Sequence, residues 1–243
     1  MAILYGDTFV DTNGVVLPSH TPTGSHAGLS WSRGPFATTD WQIEANGASV
    51  ASASPLAHAV FNQSGTWPAD VSIAFDIHFL TLISNAQPGP TARHSTTTDA
   101  CYGVGYDGSG WYMLLFSTAN PSVATALVSA AYAYPGNGVT DNMVFEVQGT
   151  ALRLYKNGSL FLSTTDSTIS AAGKPGLLDG WGATAPTATT GMHIENLLVS
   201  NFLAANPAVA LTGTATASIT ESDIVTGGKT IILTLTDDTW RQA

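Results

Sequence analysis

The sequence predicts an all-β fold, a sandwich or barrel of many short strands, and three observations predict it. Apolar and polar residues alternate with a period of two in one stretch after another: "WQIEA" (residues 41–45), "VSIAFDIHFL" (71–80), "YGVGYD" (102–107), "GWYMLLFS" (110–117), "NMVFEVQG" (142–149), "ALRLYKNG" (151–158), "SLFLSTTD" (159–166) and "MHIENLLVSNF" (192–202). Turn formers separate these stretches, at Asn46-Gly47, Asp107-Gly108, Gly136-Asn137-Gly138, Gly149 and Asn157-Gly158. Helix signals are nearly absent. The best helix candidate, "PSVATALVSAAYAY" (121–134), also reads as a strand, and its β-rich neighbours decide for the strand. Many short strands with regular turns mean a sandwich or a barrel.

The stretch "VFEVQGTALRLYKNGSLFLSTTD" (144–166) can be read residue by residue. Asn157-Gly158 supplies the positive φ angles of a tight type I′ turn. Before the turn, Leu152 and Leu154 share one face with Lys156, and Arg153 and Tyr155 share the other. After it, Leu160 and Leu162 are expected on one face and Phe161 on the other. Both faces are partly apolar, which places this unit in the middle of a sandwich, with one face shielded by loops or a partner.

The chain has 243 residues, enough for one large β domain with a small appendage. Composition shifts near Ala204. Residues 204–216 read as an Ala/Thr-rich linker, and 217–243 as a separate hairpin turning at Gly227-Gly228. That hairpin is too short to bury a core alone. The boundaries are therefore 1–203, 204–216 and 217–243. Low-charge Ala/Thr/Ser stretches at 84–100, 182–191 and 206–217 are expected as loops able to lie along a neighbour's sheet edge.

Charged residues are only 10%, against about 25% in an ordinary soluble domain. Seven Lys+Arg face seventeen Asp+Glu, a net charge of −10. No cluster of cations offers a face to nucleic acid or to an anionic membrane, so neither is an expected partner. Cys101 is the only cysteine and is expected as a small buried hydrophobe. The opening "MAILYGDTFVD" lacks a basic n-region and an apolar h-region, so synthesis and folding in a cytoplasm are expected. No stretch approaches the ~20 apolar residues of a membrane helix.

Residues 5–31, "YGDTFVDTNGVVLPSHTPTGSHAGLSW", resemble the opening of concanavalin A-like (laminin-G-like) jelly-roll domains. The likeness falls on Asp7, Phe9, Asp11, Gly14, Leu17, His20, Thr21, Pro22 and Trp31, with Trp41 in the following "W-x-I" strand. "LRLYKNGSLFLSTTD", "AAGKPGLL" and "IENLLVSNF" look like the last strands of the same fold. The resemblance implies a two-sheet antiparallel jelly roll over about residues 5–203, with the C-terminal β-hairpin as an extension. The segment "TGTATASITESDIVTGGKTIILTLTDDTW" resembles a β-rich segment that recurs in bacteriophage virion proteins and large bacterial surface proteins. The fold hosts lectins, glycosidases and structural proteins alike.

The chemistry is then a matter of side chains. A retaining glycosidase needs two carboxylates about 5 Å apart, and none of Glu44, Glu146, Glu195 or Glu221 has an acidic residue at i+2 or i+4 apart from Glu221 with Asp223, in the hairpin extension. Asp76 and His78 share a strand face and read as a surface polar stripe. No Gly-x-Ser-x-Gly elbow is present, and no histidine pair has zinc spacing. No catalytic residue is therefore assigned. Calcium would be sought at Asp7, Asp11 and Asn13, or at Asp237 and Asp238, although the first set equally reads as a turn held by its own side-chain hydrogen bonds. No other cofactor is expected. A glycan would be sought at aromatic platforms in loop-like settings: Trp67 and Trp181, with Tyr102 and Tyr112. Trp31, Trp41 and Trp111, in strand contexts, are expected in the core.

The expectation is a non-enzymatic virion structural protein of a tailed bacteriophage, a capsid decoration, head fibre or tail-associated adhesin. It would be made in the host cytoplasm, be homo-oligomeric, contact other virion proteins and bind host surface glycans weakly. The alternative is a free carbohydrate-binding module or an extracellular bacterial adhesin.

Overall fold

The computed structural model describes residues 2–22, 30–34, 37, 40–51, 57–61, 67–83, 88–118, 120–179 and 185–202. The chain divides into two units, Met1–Ala205 and Asn206–Ala243. All described residues belong to the first. The linker and the hairpin expected at 204–243, with Asp237 and Asp238, lie outside them, as does Trp181.

Fifteen strands are described. In chain order they are β1 (Ala2–Asp7), β2 (Trp31–Arg33), β3 (Trp41–Glu44), β4 (Gly47–Val50), β5 (Ala57–Phe61), β6 (Val71–Phe79), β7 (Gly89–His94) and β8 (Cys101–Tyr106). They continue with β9 (Gly110–Ser117), β10 (Asn120–Ala131), β11 (Val139–Gln148), β12 (Ala151–Lys156), β13 (Ser159–Thr165), β14 (Lys174–Asp179) and β15 (Met192–Asn201). One sheet runs β13-β12-β11-β6-β15-β4-β3, with β1 also paired to β15. The other runs β10-β9-β8-β7-β14-β5-β2. Every pairing is antiparallel. The fold is the all-β two-sheet jelly-roll sandwich expected. The only described helix is one 3-10 turn, Leu17–Ser19.

The core arises from the period-two pattern. Ile73, Phe75, Ile77 and Phe79 of β6 meet Tyr102, Val104 and Tyr106 of β8 and Trp111 and Met113 of β9. Ring contacts such as Phe79–Tyr106 at 5.4 Å and Phe75–Trp111 at 6.3 Å join the two sheets. Trp31, Trp41 and Trp111 are buried, as their strand contexts predict. Cys101 is free and buried beside Leu114, Phe116 and Leu178 on the outer face of the second sheet. Burial, and then the nearby Asp99 carboxylate, push its thiol pKa well up, so it is an inert hydrophobe rather than a nucleophile. Residues 121–131 form most of β10, the strand preferred over the helix.

Two local readings need correction. Asn157 (φ 49°) and Gly158 (φ 81°) make the expected turn. The strand after it, however, carries a β-bulge. Leu162 pairs with Leu154 and Leu160 with Tyr155, so Phe161 is the extra residue. The bulge reverses the side-chain phase, burying Leu162 and leaving Leu160 exposed on the opposite face. This unit is also not central, because β13 ends the sheet order. The second correction concerns residues 84–100. They contain β7, a fully buried strand held between β8 and β14. "GPTARH" carries no alternation to announce it, so only its two neighbours define it as a strand.

The N-terminal residues of the resemblance converge on one buried knot. Asp7 accepts from Phe9 N (2.9 Å), Tyr5 Oη (3.0 Å) and Trp31 Nε1 (2.9 Å), and His20 Nε2 lies 3.1 Å away. His20 Nδ1 is 2.9 Å from Asp11. The knot ties β1, the turn at Leu17–Ser19 and β2 together.

Candidate functional site

A groove of about 680 Å³ opens at one end of the sandwich. One wall is residues 95–100, linking β7 to β8, and the other is residues 166–173, linking β13 to β14. Trp67 and Arg93 lie at its base, and Lys174 opens β14 beside it.

Each wall is fixed by its own hydrogen bonds. In the first, Ser95 Oγ accepts from the amides of Thr97 and Thr98, and Asp99 N donates to Ser95 O. His94 anchors this turn from below, with Nε2 2.8 Å from Asp99 Oδ1 and Nδ1 3.1 Å from Thr91 Oγ1. In the second wall, Asp166 Oδ1 accepts from Thr168 N (2.8 Å) and from the Tyr102 hydroxyl (2.6 Å), which itself accepts from Ile169 N (2.9 Å). Burial acts to raise the Asp166 carboxyl, but the hydrogen bonds from Tyr102 and Thr168 outweigh it and hold the pKa below its ordinary value. Desolvation, followed by the bond to Asp166, pushes the Tyr102 phenol up to about 12.

Arg93 clamps the base. Its Nε donates to Ala69 O (2.8 Å), Nη1 to Ile169 O (2.6 Å), and Nη2 to Gly149 O (2.8 Å) and Asp70 Oδ1 (3.1 Å). The backbone here is left-handed, φ 51°, beside a β-bulge between β7 and β14. Such a conformation persists in a non-glycine residue where its surroundings over-determine it, and four hydrogen bonds to three chain segments do so. Gly173 passes so close to the Arg93 backbone that a Cβ would stand 2.3 Å from the Arg93 carbonyl carbon, so no other residue fits.

The described aromatic residues singled out from sequence, Trp67, Tyr102 and Tyr112, do not form one platform. Trp67 is at the groove, but it belongs to the core and only 6% of its surface is exposed. It is a floor and not a ring standing in solvent, because the segment before β6 packs inward. Tyr102 has its ring in the core and only its hydroxyl at the groove wall, where it serves the 166–169 turn. Tyr112 lies on the outer face of the second sheet, its phenol raised by the bond to Asp107, away from the groove. The three candidate calcium ligands are each taken by protein donors: Asp7 and Asp11 in the knot above, and Asn13 Oδ1 by Ala45 N (2.9 Å). Among the described residues no group of three or more His, Cys, Asp or Glu could hold a metal ion.

A second surface escaped sequence reasoning. On the outer face of the first sheet, cross-strand register sets Glu195 opposite Asp76, and His193 opposite His78. His78 Nδ1 is 3.3 Å from Glu195 Oε1. Asp76 accepts from Asn142 Nδ2 (2.6 Å) and Asn196 Nδ2 (2.7 Å). Desolvation raises the Glu195 carboxyl pKa, with His78 opposing and Asp76 reinforcing; burial lowers that of His193. Alongside runs an apolar row across five strands: Leu198, Ala74, Val144, Tyr155 and Leu160. The stripe Asp76-x-His78 was legible, but Glu195 is over a hundred residues away and only strand pairing brings it in.

No protein-family model matches the chain, and no curated protein is significantly similar to it. Solved structures are. The carbohydrate binding module CBM66 from Bacillus subtilis superposes with a TM-score of 0.56 at 16% identity, covering 70% of this chain and 95% of that one. A structure described as "Prominent members of the human gut microbiota express endo-acting O-glycanases to initiate mucin breakdown" gives 0.54 at 10% identity, covering 83% and 100%. A Bacillus licheniformis β-glucanase gives 0.51 at 9%, covering 82% and 98%. At such identities what is shared is the fold, and the sandwich is a concanavalin-like jelly roll.

Proposed function

We propose that this protein is a non-enzymatic glycan-binding module whose ligand lies in the loop-end groove. The observation that carries this reading is the groove's lining: six hydroxyl-bearing residues, Ser95, Thr96, Thr98, Thr118, Thr168 and Ser170, surround an indole floor, with the Ser95 and Thr98 hydroxyls bonded to each other and that of Thr168 to Asp166. Hydroxyls both donate and accept, which suits the mixed donors and acceptors of a sugar. The walls are pre-fixed by their own hydrogen bonds, so little ordering is left for binding to impose. The carbohydrate-binding and glycan-processing names among the structural neighbours support the same direction. Absence of catalysis is part of the proposal: both Asp76 oxygens are held by amides, and Glu195, the carboxylate opposite it on β15, lies against His78.

The finer reading, a virion protein of a tailed bacteriophage, rests on the resemblance of the C-terminal segment and on the acidic, disulfide-free composition. There the sandwich projects and the C-terminal segment, expected as a hairpin, joins other virion proteins or further copies of the chain. The free carbohydrate-binding module is the alternative reading.

A glycan microarray with the wild type, Ala171→Trp and Tyr155→Ala tests the site. Binding should be lost with Ala171→Trp, which fills the groove, and kept with Tyr155→Ala, which alters the outer face of the first sheet. The reverse pattern would move the site to that face. Release of reducing sugar from any bound glycan, lost in Asp76→Asn or Glu195→Gln, would replace binding by hydrolysis. Cosedimentation with phage particles tests the virion reading, and failure to associate with them counts against it.

A further inference from the structure

The groove inverts the charge balance of the chain. Seventeen Asp+Glu outnumber seven Lys+Arg overall, yet among the described residues lining the groove there is no Asp or Glu, and there are two cations, Arg93 and Lys174. The two are not equivalent. Arg93 is buried, its donors are taken by three carbonyls, and Asp70 at 3.1 Å offsets its charge. The Lys174 side chain is half-buried and its ammonium has no hydrogen-bond or ion-pair partner among the described residues. Its backbone is held in register opposite His94, so the ammonium is carried by a strand and not by a loose turn.

Among the described residues the other four Lys and Arg side chains, Arg33, Arg93, Arg153 and Lys156, each lie against a carboxylate, and Lys174 does not. Here the nearest acids point elsewhere: Asp99 is bonded to His94, Asp166 to Tyr102 and Thr168, and Asp70 to Arg93. An anion entering the groove therefore meets one ammonium without an ion-pair partner among the described residues and six hydroxyl-bearing side chains, while the wall carboxylates Asp99 and Asp166 are turned to donors of their own.

We infer that the groove selects an acidic sugar, with the Lys174 ammonium on the sugar's anionic group and the Ser and Thr hydroxyls on its ring substituents. This inference deepens the glycan reading and rests on it. The ammonium is a point charge and does not by itself distinguish carboxylate from sulfate, so the chemistry named is an anionic glycan, and the arms of the experiment separate its sources.

The test is calorimetric titration of the full chain with matched pairs: sialyllactose and lactose, an oligogalacturonate and its methyl ester, a sulfated galactan fragment and its unsulfated form. At least one acidic member should bind roughly tenfold or more tightly than its neutral partner. Raising salt from about 50 to about 500 mM should weaken that member alone. Lys174→Gln should remove the preference and Lys174→Arg should retain it, with unchanged melting temperatures showing that both variants fold. Equal binding of acidic and neutral members, unaffected by Lys174→Gln, overturns the inference and leaves glycan binding standing. No binding of any member overturns both.

Discussion

The loop-end groove and the outer face of the first sheet are both polar, but they are built by opposite means. The groove's walls are two chain-local turns, and their hydroxyls are brought together by Arg93, a cation anchored from beneath. The outer face is made by strand register, and it gathers Asp76, Glu195, His78 and His193 across neighbouring strands. The groove lining holds no carboxylate among its described residues; the sheet face holds a close pair with a histidine against it. Loops can present hydroxyls around a hollow because their backbones are free to curve. A sheet face presents rows of partners at fixed spacing and suits charge pairing instead.

The comparison breaks most easily at Arg93. Arg93→Ala leaves carbonyls of three segments without their donor and should lower unfolding stability by about 3 kcal/mol in urea titration, with glycan binding lost as well. A loss under about 1 kcal/mol would mean that the walls stand without the clamp. Next in size is Tyr102→Phe, which keeps the core ring and removes the hydroxyl between Asp166 and Ile169. It should cost about 1.5 kcal/mol, and it should loosen the 166–173 wall, seen as faster amide exchange at Ile169, while exchange in β6 and β15 stays as in the wild type.

The two regions should also respond oppositely to pH. Asp166 has a folded pKa below its ordinary 3.8, so its contribution is present above that value and is lost as pH falls through the lower folded value. Glu195 has a folded pKa above its ordinary 4.5. Its favourable contribution is complete below 4.5 and is lost as pH rises through the raised value. Melting temperatures from acid to neutral pH should accordingly show Asp166→Asn flattening the acid limb and Glu195→Gln flattening the limb above it. Matching profiles for the two variants would remove the distinction. The smallest effect is expected for Leu198→Ser, at an exposed site on the sheet face: within about 0.5 kcal/mol, with groove binding unchanged. A large loss of stability there would show that the apolar row is covered.

Much of the fold is legible in the sequence because alternation and turn chemistry are local. Phe75, Ile77 and Phe79 declare their face from β6 alone, and Asn157-Gly158 declares its turn. The strand beyond that turn departs from its pattern at Phe161, since a bulge has no composition of its own and appears only when Leu154 and Tyr155 choose their partners. The segment of β7 reads as loop for a related reason: "GPTARH" is a strand because β8 and β14 flank it. The site is less legible. Trp67 stands in a loop-like context, but its burial depends on what packs over it. Arg93 and Lys174 carry no motif at all. The signal that could have pointed to them is negative: an acidic chain in which few cations occur and two of them flank hydroxyl-rich turns.

By itself, the sequence determined the all-β class, the faces of regular strands such as β6, the buried tryptophans of the strands and the inert cysteine, because each depends on neighbours within a few residues along the chain. Only the tertiary structure decided that Asp7, Asp11, His20 and Trp31 form a knot, that Glu195 faces Asp76, and that Arg93 draws residues 69, 149 and 169 together beneath a groove. Those meetings join residues far apart in sequence. Backbone pairing sets them, and a pattern with a period of two carries no information about which strand lies next to which.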